Sequence, residues 1–320
     1  MKRALVLVAI LLLPTVLAED FPPQRQNSAF VGWQLEASEK IGEYRLSYPA
    51  VGDGEEINMA QNGPFAVVVF YADDGEDVDQ YVWLQEGLSN WGYITLVVED
   101  ETDWDAIEYQ LIGWNNGSLA SVPDAENMFA LDFIALSGHG TGAHTAAEIV
   151  KSSNYEIDGL FGLGLDGSST QYSGDVILSR PSSALFLTGT TDDIAPADDN
   201  VMSYLVDWPG AWQIMHPLGA NHIGYQESDT FFERLADGDD NMGRDGQQSH
   251  ALNHILPYLN LSLKGDDSAY QIAFNREDKS VSSDPDSYID EDLSRSRLYN
   301  MQNITSSLLS VMLNQSFTVS

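Results

Sequence analysis

Apolar residues recur along this chain with two alternating periods. From Glu43 to Ala50 the alternation of Tyr44, Leu46 and Tyr48 predicts a half-buried strand, closed by a Gly-rich turn and a loop ending at Asn62-Gly63-Pro64. The run Phe65 to Phe70 that follows is continuously apolar and largely β-branched, as a central strand covered on both faces of a parallel sheet must be. Tyr81, Leu84 and Leu88 then fall at helical spacing, Trp91-Gly92 ends that helix, and Tyr93 to Val98 reads as the next strand. Trp104, Ile107 and Leu111 mark a second helix, capped by Thr102 or Asp103, before a buried strand from Met128 to Leu136. The rhythm continues with a helix over Ala143 to Val150, strands over Ile157 to Leu165 and Ser183 to Thr188, a helix centred on Val201 to Leu205 and a strand over Trp212 to Met215. Ala251, Leu252, Ile255, Leu256 and Leu259 predict a closing helix, which Pro257 should kink. Strands and helices alternating at this spacing predict an α/β fold: a mostly parallel, doubly wound sheet with helices on both faces.

The ends of the chain break this rhythm. Met1 to Ala18 has a basic start (Lys2, Arg3), an apolar run from Ala4 to Leu17 and Val16-Leu17-Ala18 before Glu19, the layout of a cleavable export signal. The apolar run is shorter than the roughly 20 residues a membrane-spanning helix needs, so no membrane span is expected once the signal is cut. The α/β domain is expected over residues 27–275, with an acidic C-terminal extension over 276–320. A chain of 320 residues without cysteine must rely on its core rather than on disulfides.

Forty-nine acidic against fourteen basic residues give a formal charge of −35. Nucleic acid is excluded as a partner by repulsion. The acids are spread along the whole chain, which reads as adaptation to high salt, where a Debye length of about 3 Å at 1 M screens self-repulsion. Two acidic stretches look superficially like calcium loops. Asp284 to Asp292 lacks the glycine at the sixth place and the glutamate at the twelfth, and Asp237 to Gly243 misplaces its glycine by one. No metal or cofactor is therefore called for. Asn116, Asn260, Asn303 and Asn314 head glycosylation sequons.

The chemistry concentrates where the Met128 to Leu136 strand runs into Ser137-Gly138-His139-Gly140-Thr141-Gly142-Ala143-His144 and a helix follows at once. Glycines two before and two after a central residue, between strand and helix, are what a sharp nucleophile-bearing elbow requires. Here the chain resembles the dienelactone-hydrolase and polyester-hydrolase (cutinase-like) branch of the α/β-hydrolase family, whose elbow typically reads G-H-S-x-G-G. Gly138, His139 and Gly142 match, and Gly140 stands at the place of the serine. Thr188 to Pro196 resembles that branch's acid loop, which makes Asp192 the triad acid, with Asp193 the alternative one residue on. Gly219-Ala220-Asn221-His222 resembles its G-A-x-H and makes His222 the base. The resemblance covers roughly Glu43 to Phe274 and implies an α/β-hydrolase fold with ancestral carboxylic-ester hydrolysis.

The other histidines, His139, His144, His216, His250 and His254, read as packed or surface residues. Two further departures concern the substrate side. The resemblance places the oxyanion donors at the backbone of residue 74 and of Thr141, but Asp73 takes the family's glycine place and Asp74 the donor place, a cluster of carboxylates that opposes a developing negative charge. Asp166 stands where the polyester hydrolases carry a tryptophan. The expected function is a secreted pseudo-hydrolase binding a small-molecule or ester-like ligand in the former cleft. The alternative is a weak hydrolase in which Thr141, or a water seated in the space left by the serine, is activated by His222 and Asp192; Ser137, inside the strand, is the poorer hydroxyl. A surface-layer or other structural role is the remaining class.

Overall fold

A computed structural model describes residues 30–119, 122–152, 157–167, 183–205, 208 and 212–274. The expected export signal, the extension from Arg276 with its Asp284 to Asp292 segment, and the sequons at Asn303 and Asn314 lie outside the described residues.

The described chain is an α/β structure built on a nine-stranded, mostly parallel sheet. Its strands are β1 (Val31–Ser38), β2 (Gly42–Pro49), β3 (Gly54–Glu55), β4 (Phe65–Tyr71), β5 (Tyr93–Val98), β6 (Phe129–His139), β7 (Gly159–Leu163), β8 (Ser183–Leu187) and β9 (Trp212–Met215). Across the sheet they lie in the order β3-β1-β2-β5-β4-β6-β7-β8-β9. From β5 to β9 all neighbours pair in parallel, whereas β2 runs antiparallel to both β1 and β5. The helices are α1 (Val82–Asn90), α2 (Trp104–Asn115), α3 (Gly140–Ser152), α4 (Val201–Leu205), α5 (Phe231–Ala236), α6 (Arg244–Lys264) and α7 (Ser268–Ala273).

The period of two along β4 explains the layering. Val67, Val69 and Tyr71 pack with α2, α3 and α4 on one side, through Ile107, Leu111, Ala143, Ala147 and Val201. Ala66, Val68 and Phe70 pack with α1, α6 and α7 on the other, through Leu84, Leu88, Ala251, Ile255 and Phe274. Every residue of β4 is buried, as its continuous apolar run requires.

Several expectations are corrected in detail. The strand foreseen from Glu43 is buried on both faces, with Trp114 of α2 against Tyr44 on one side and Trp33 over Arg45 on the other. Strand β1 was not foreseen, although Val31, Trp33, Leu35 and Ala37 alternate. The closing helix, which by the resemblance runs from Gln247 to Asp266 around its Ala251 to Leu259 heart, is borne out as α6 over Arg244–Lys264; it runs through Pro257 and ends at Gly265, whose φ of 66° gives the left-handed cap. Helix α5 was also unforeseen, yet Thr230 and Glu233 form a reciprocal capping box at its start. The Asn260 sequon lies in α6, where the Asn260 carboxamide is buried and accepts from the Tyr93 hydroxyl at 2.7 Å, so folding hides it. Among the described residues no helix is long and apolar enough to cross a membrane.

Candidate active site

Three loops at the carboxyl ends of β4, β6 and β8, with the segment after β9, deliver the site. Open parallel sheets bind ligands at this edge because the loops from neighbouring strands converge there. Strand β6 enters α3 through Gly140, which holds φ of 50°, the left-handed turn of an elbow. Asp192 lies in the loop after β8, buried, and its Oδ1 accepts from the Ala195 backbone at 2.7 Å. His222 opens a short 3-10 turn over Ile223–Tyr225 and is also buried. Its Nδ1 donates to Asp192 Oδ2 at 3.2 Å. Asp193, the alternative acid, is exposed, and its backbone N–H goes to Asp237.

The other imidazole nitrogen meets a carboxylate instead of a hydroxyl. His222 Nε2 lies 3.0 Å from Asp73 Oδ2. Oδ1 of the same carboxylate accepts from the Thr141 backbone at 2.8 Å, from the Asp74 backbone at 2.9 Å and from the Thr141 hydroxyl at 3.1 Å. Those two backbone N–H groups are the ones the sequence assigned to oxyanion binding. Asp73 thus places one oxygen between the Asp74 and Thr141 backbone N–H groups and the other on His222, in the space where an activated water was expected.

Gly140 makes room for this. A Cβ at position 140 would lie 2.0 Å from Asp73 Oδ1 and 2.3 Å from its Cγ, so any larger residue at the elbow and this carboxylate exclude one another. Gly140 and Asp73 therefore depend on each other: only a residue without a Cβ at 140 leaves the Asp73 carboxylate its place. The sequence displayed both residues, and the missing step was to see that the space lost by one was vacated by the other.

Electrostatics follow from the geometry. Burial alone would lower the His222 pKa, but its hydrogen bonds to Asp192 and Asp73 and their charges outweigh it and raise the pKa to about 10. The imidazole is therefore a cation clasped between two carboxylates at neutral pH. Burial pushes the Asp73 carboxyl up, and the His222 hydrogen bond, the nearby histidines and the Thr141 N–H reverse this and hold it well below the usual carboxylate range. His139 is fully buried, stacks on His222 with ring centroids 4.4 Å apart, and bonds Tyr81 through Nδ1 at 3.1 Å. Burial, reinforced by the His222 charge, depresses its pKa to about 3, so it is a neutral wall of the site.

The remaining candidate hydroxyls make no hydrogen bond to the His222 ring. The Thr141 hydroxyl bonds Asp73 and accepts from the Asp74 N–H at 2.9 Å, and the two partners of the His222 ring are both carboxylates. Ser137 is buried in β6 and donates to the Val69 carbonyl at 2.8 Å. Asp166 donates its backbone N–H to the Gly140 carbonyl at 3.0 Å. His144 faces Glu148 at 3.8 Å, His216 bonds the Gly189 carbonyl and His254 the His250 carbonyl. In the Asp237 to Gly243 segment the carboxylates accept backbone amides, Asp237 from Ile223 and Asp240 from Gly243.

Asp73, His139 and His222 bring one ligand-capable atom each within 4.8 Å of the others, a set a divalent cation could use. His222 Nε2 and Asp73 Oδ2 share a proton there, so a cation would have to replace it. No protein-family model matches the chain, and no curated protein matches it.

Proposed function

We propose that the chain is a secreted α/β-hydrolase-fold protein, related to carboxylic-ester hydrolases, that no longer carries out serine-ester chemistry and accepts a small molecule at the former catalytic cleft. One observation carries the reading: the Asp73 carboxylate occupies both the oxyanion donors and the base, with Gly140 supplying no nucleophile beside them. A serine mechanism needs a neutral imidazole to take the hydroxyl proton, and this one is already protonated by its two carboxylates. Losing a single oxyanion donor costs about 2.7–4 kcal/mol in known enzymes, and here both are engaged. The leader at 1–18 supports export, and the charge of −35 supports work in a salty medium.

The test is hydrolysis of a short-chain nitrophenyl ester in molar salt by the wild type and His222→Ala, with a fluorophosphonate probe alongside. Both proteins should match buffer and neither should be labelled. Turnover well above buffer that disappears in His222→Ala overturns the proposal.

A further inference from the structure

We infer that α5 is a docking surface for a segment of the chain's own C-terminal region, residues 298–314, which seats an uncharged amphipathic helix on Phe231, Phe232 and Leu235. The inference goes beyond the proposed function and does not depend on it. Helix α5 buries none of its residues, and these three side chains are 69 %, 79 % and 68 % exposed. Phe231 and Leu235 lie one turn apart, and the Phe231 and Phe232 rings meet edge to face at 5.8 Å, so the three form one patch. An apolar patch of this kind in a chain of charge −35 marks a contact surface.

The patch is held outward by bonds at both ends of its segment. Ahead of α5, the Glu227 N–H donates to the Gln80 carbonyl at 2.9 Å, the Glu227 carboxylate accepts from the Trp83 N–H at 2.8 Å, and the Ser228 N–H donates to Gln80 Oε1 at 2.9 Å. Behind it, the Asp237 carboxylate accepts from the Ile223 N–H at 3.0 Å and the Asp193 N–H at 3.1 Å, which ties α5 to the turn that follows His222. Glu233 is hydrogen-bonded to Glu76 on the loop of Asp73. A segment seated on α5 therefore lies beside the Asp73–His222 site.

The occupant is named by the pattern of the chain. Acidic residues recur through 276–297, but 298–320 holds no charged residue at all. Met301, Ile304, Leu308 and Val311 follow one another at helical spacing, with Met312 beside them, and Asn303, Ser307, Ser310 and Asn314 keep the same spacing on the opposite face. Asn303 and Asn314 both head sequons, and their separation is about three helical turns, so both fall on the polar stripe and leave the apolar one free to pack.

Reach, charge and area favour this occupant. The Phe274 ring packs on His254 of α6, about 15 Å along that helix from Arg244. Arg244 bonds Asp229, two residues before Phe231, at 2.9 Å. Residues 275–297 must bridge that gap, and a coil of this length spans on the order of 25 Å. The patch is bordered by Glu233, Glu76 and Asp229. A second copy would set the same carboxylates against them at contact distance, where even molar salt screens little, whereas an uncharged row of Met, Ile, Leu and Val brings no charge. Three side chains of this size expose roughly 400 Å², about half of the ~800 Å² per partner that a stable dimer needs. A tethered segment needs less area, because its effective concentration is on the order of millimolar.

The experiment uses the full chain in molar salt, where the absence of native cysteine makes introduced pairs unambiguous. Leu235→Cys is combined in turn with Ile304→Cys, Leu308→Cys and Val311→Cys, and separately with Asn303→Cys, Ser307→Cys and Ser310→Cys. Under mild oxidation the first group should form disulfides within one chain about tenfold faster than the second. In a cysteine-free chain, Leu308→Asp should speed amide exchange over residues 231–236 about tenfold while leaving β4 unchanged, which shows that the domain is still folded. Equal bridging in the two groups, or exchange over 231–236 that Leu308→Asp does not alter, overturns the inference. Disulfides found only between two chains overturn it in favour of a second copy, and protection of 231–236 that appears only on adding phosphatidylcholine vesicles overturns it in favour of a lipid surface.

Discussion

Putting a hydroxyl back at the elbow should fail unless Asp73 is removed with it. In Gly140→Ser the new Cβ would fall 2.0 Å from Asp73 Oδ1 and 2.5 Å from Oδ2, so the carboxylate must leave its place. Leaving costs an off-rotamer side chain, about 0.5–1.5 kcal/mol, and charged hydrogen bonds to Thr141 and His222 worth about 1.5–3 kcal/mol each. The serine also pays about 1–2 kcal/mol for the left-handed backbone that glycine adopts freely. A loss of roughly 5–9 kcal/mol is expected, which for a domain of this size lowers the Tm by about 2–4 °C per kcal/mol. Asp73→Gly should relieve the clash when added to Gly140→Ser, giving a favourable coupling of about 3 kcal/mol or more, because the carboxylate's hydrogen bonds are lost in both single variants but only once in the double. Thermal unfolding of wild type, both single variants and the double variant in molar salt measures it, and fluorophosphonate labelling reads the chemistry. Only the double variant should be labelled, at position 140, since only there are hydroxyl, base and empty oxyanion donors present together. If Gly140→Ser alone is as stable as wild type and is labelled as fast as the double variant, the carboxylate does not hold the place argued for it.

Two further outcomes test the neighbourhood of the site. Burial, the hydrogen bond with Glu233 and nearby acids raise the Glu76 pKa to about 7, so the protein takes up a proton there on folding. The stabilisation by protonated Glu76 is complete below the ordinary glutamate pKa and is lost as pH rises through about 7; the Tm difference between wild type and Glu76→Gln should therefore change across pH 4.5–8 in favour of the variant at the upper end, and a flat difference would refute it. Gly142→Ala would set a Cβ 2.1 Å from the Ala72 carbonyl oxygen and 2.4 Å from that of Tyr71, both backbone atoms. Pushing α3 off β4 in this way should cost about 1–3 kcal/mol, read as a lowered Tm in molar salt.

Much of the sheet was legible because burial on both faces leaves a local signature. Phe65 to Tyr71 and Tyr93 to Val98 could hardly be anything but central strands, and their boundaries moved by a residue at most. The elements missed were those whose signal is weak or inverted. In β1 the intervening Gly32 and Gln34 are buried while Trp33 and Leu35 are only partly so, the reverse of what its alternation suggests. Helix α5 buries none of its residues, so no core-facing stripe marks it and only the Thr230–Glu233 box announced it.

At the site, the motif resemblance pointed to Gly140, Asp192, His222, the residue-74 and Thr141 backbones, and the unusual Asp73, and the fold brings these residues together. The chain alone established which groups exist: no serine at the elbow, a histidine with an acid before it, an excess of carboxylates after β4. Only the folded structure decided where the Asp73 oxygens go, because residues 73, 140, 141 and 222 are brought together by strands far apart in sequence. A carboxylate can lie free beside backbone N–H groups or bridge them to a histidine, according to shifts of a few ångströms. Those distances are set by how β4 and β6 pack side by side, which no local pattern records.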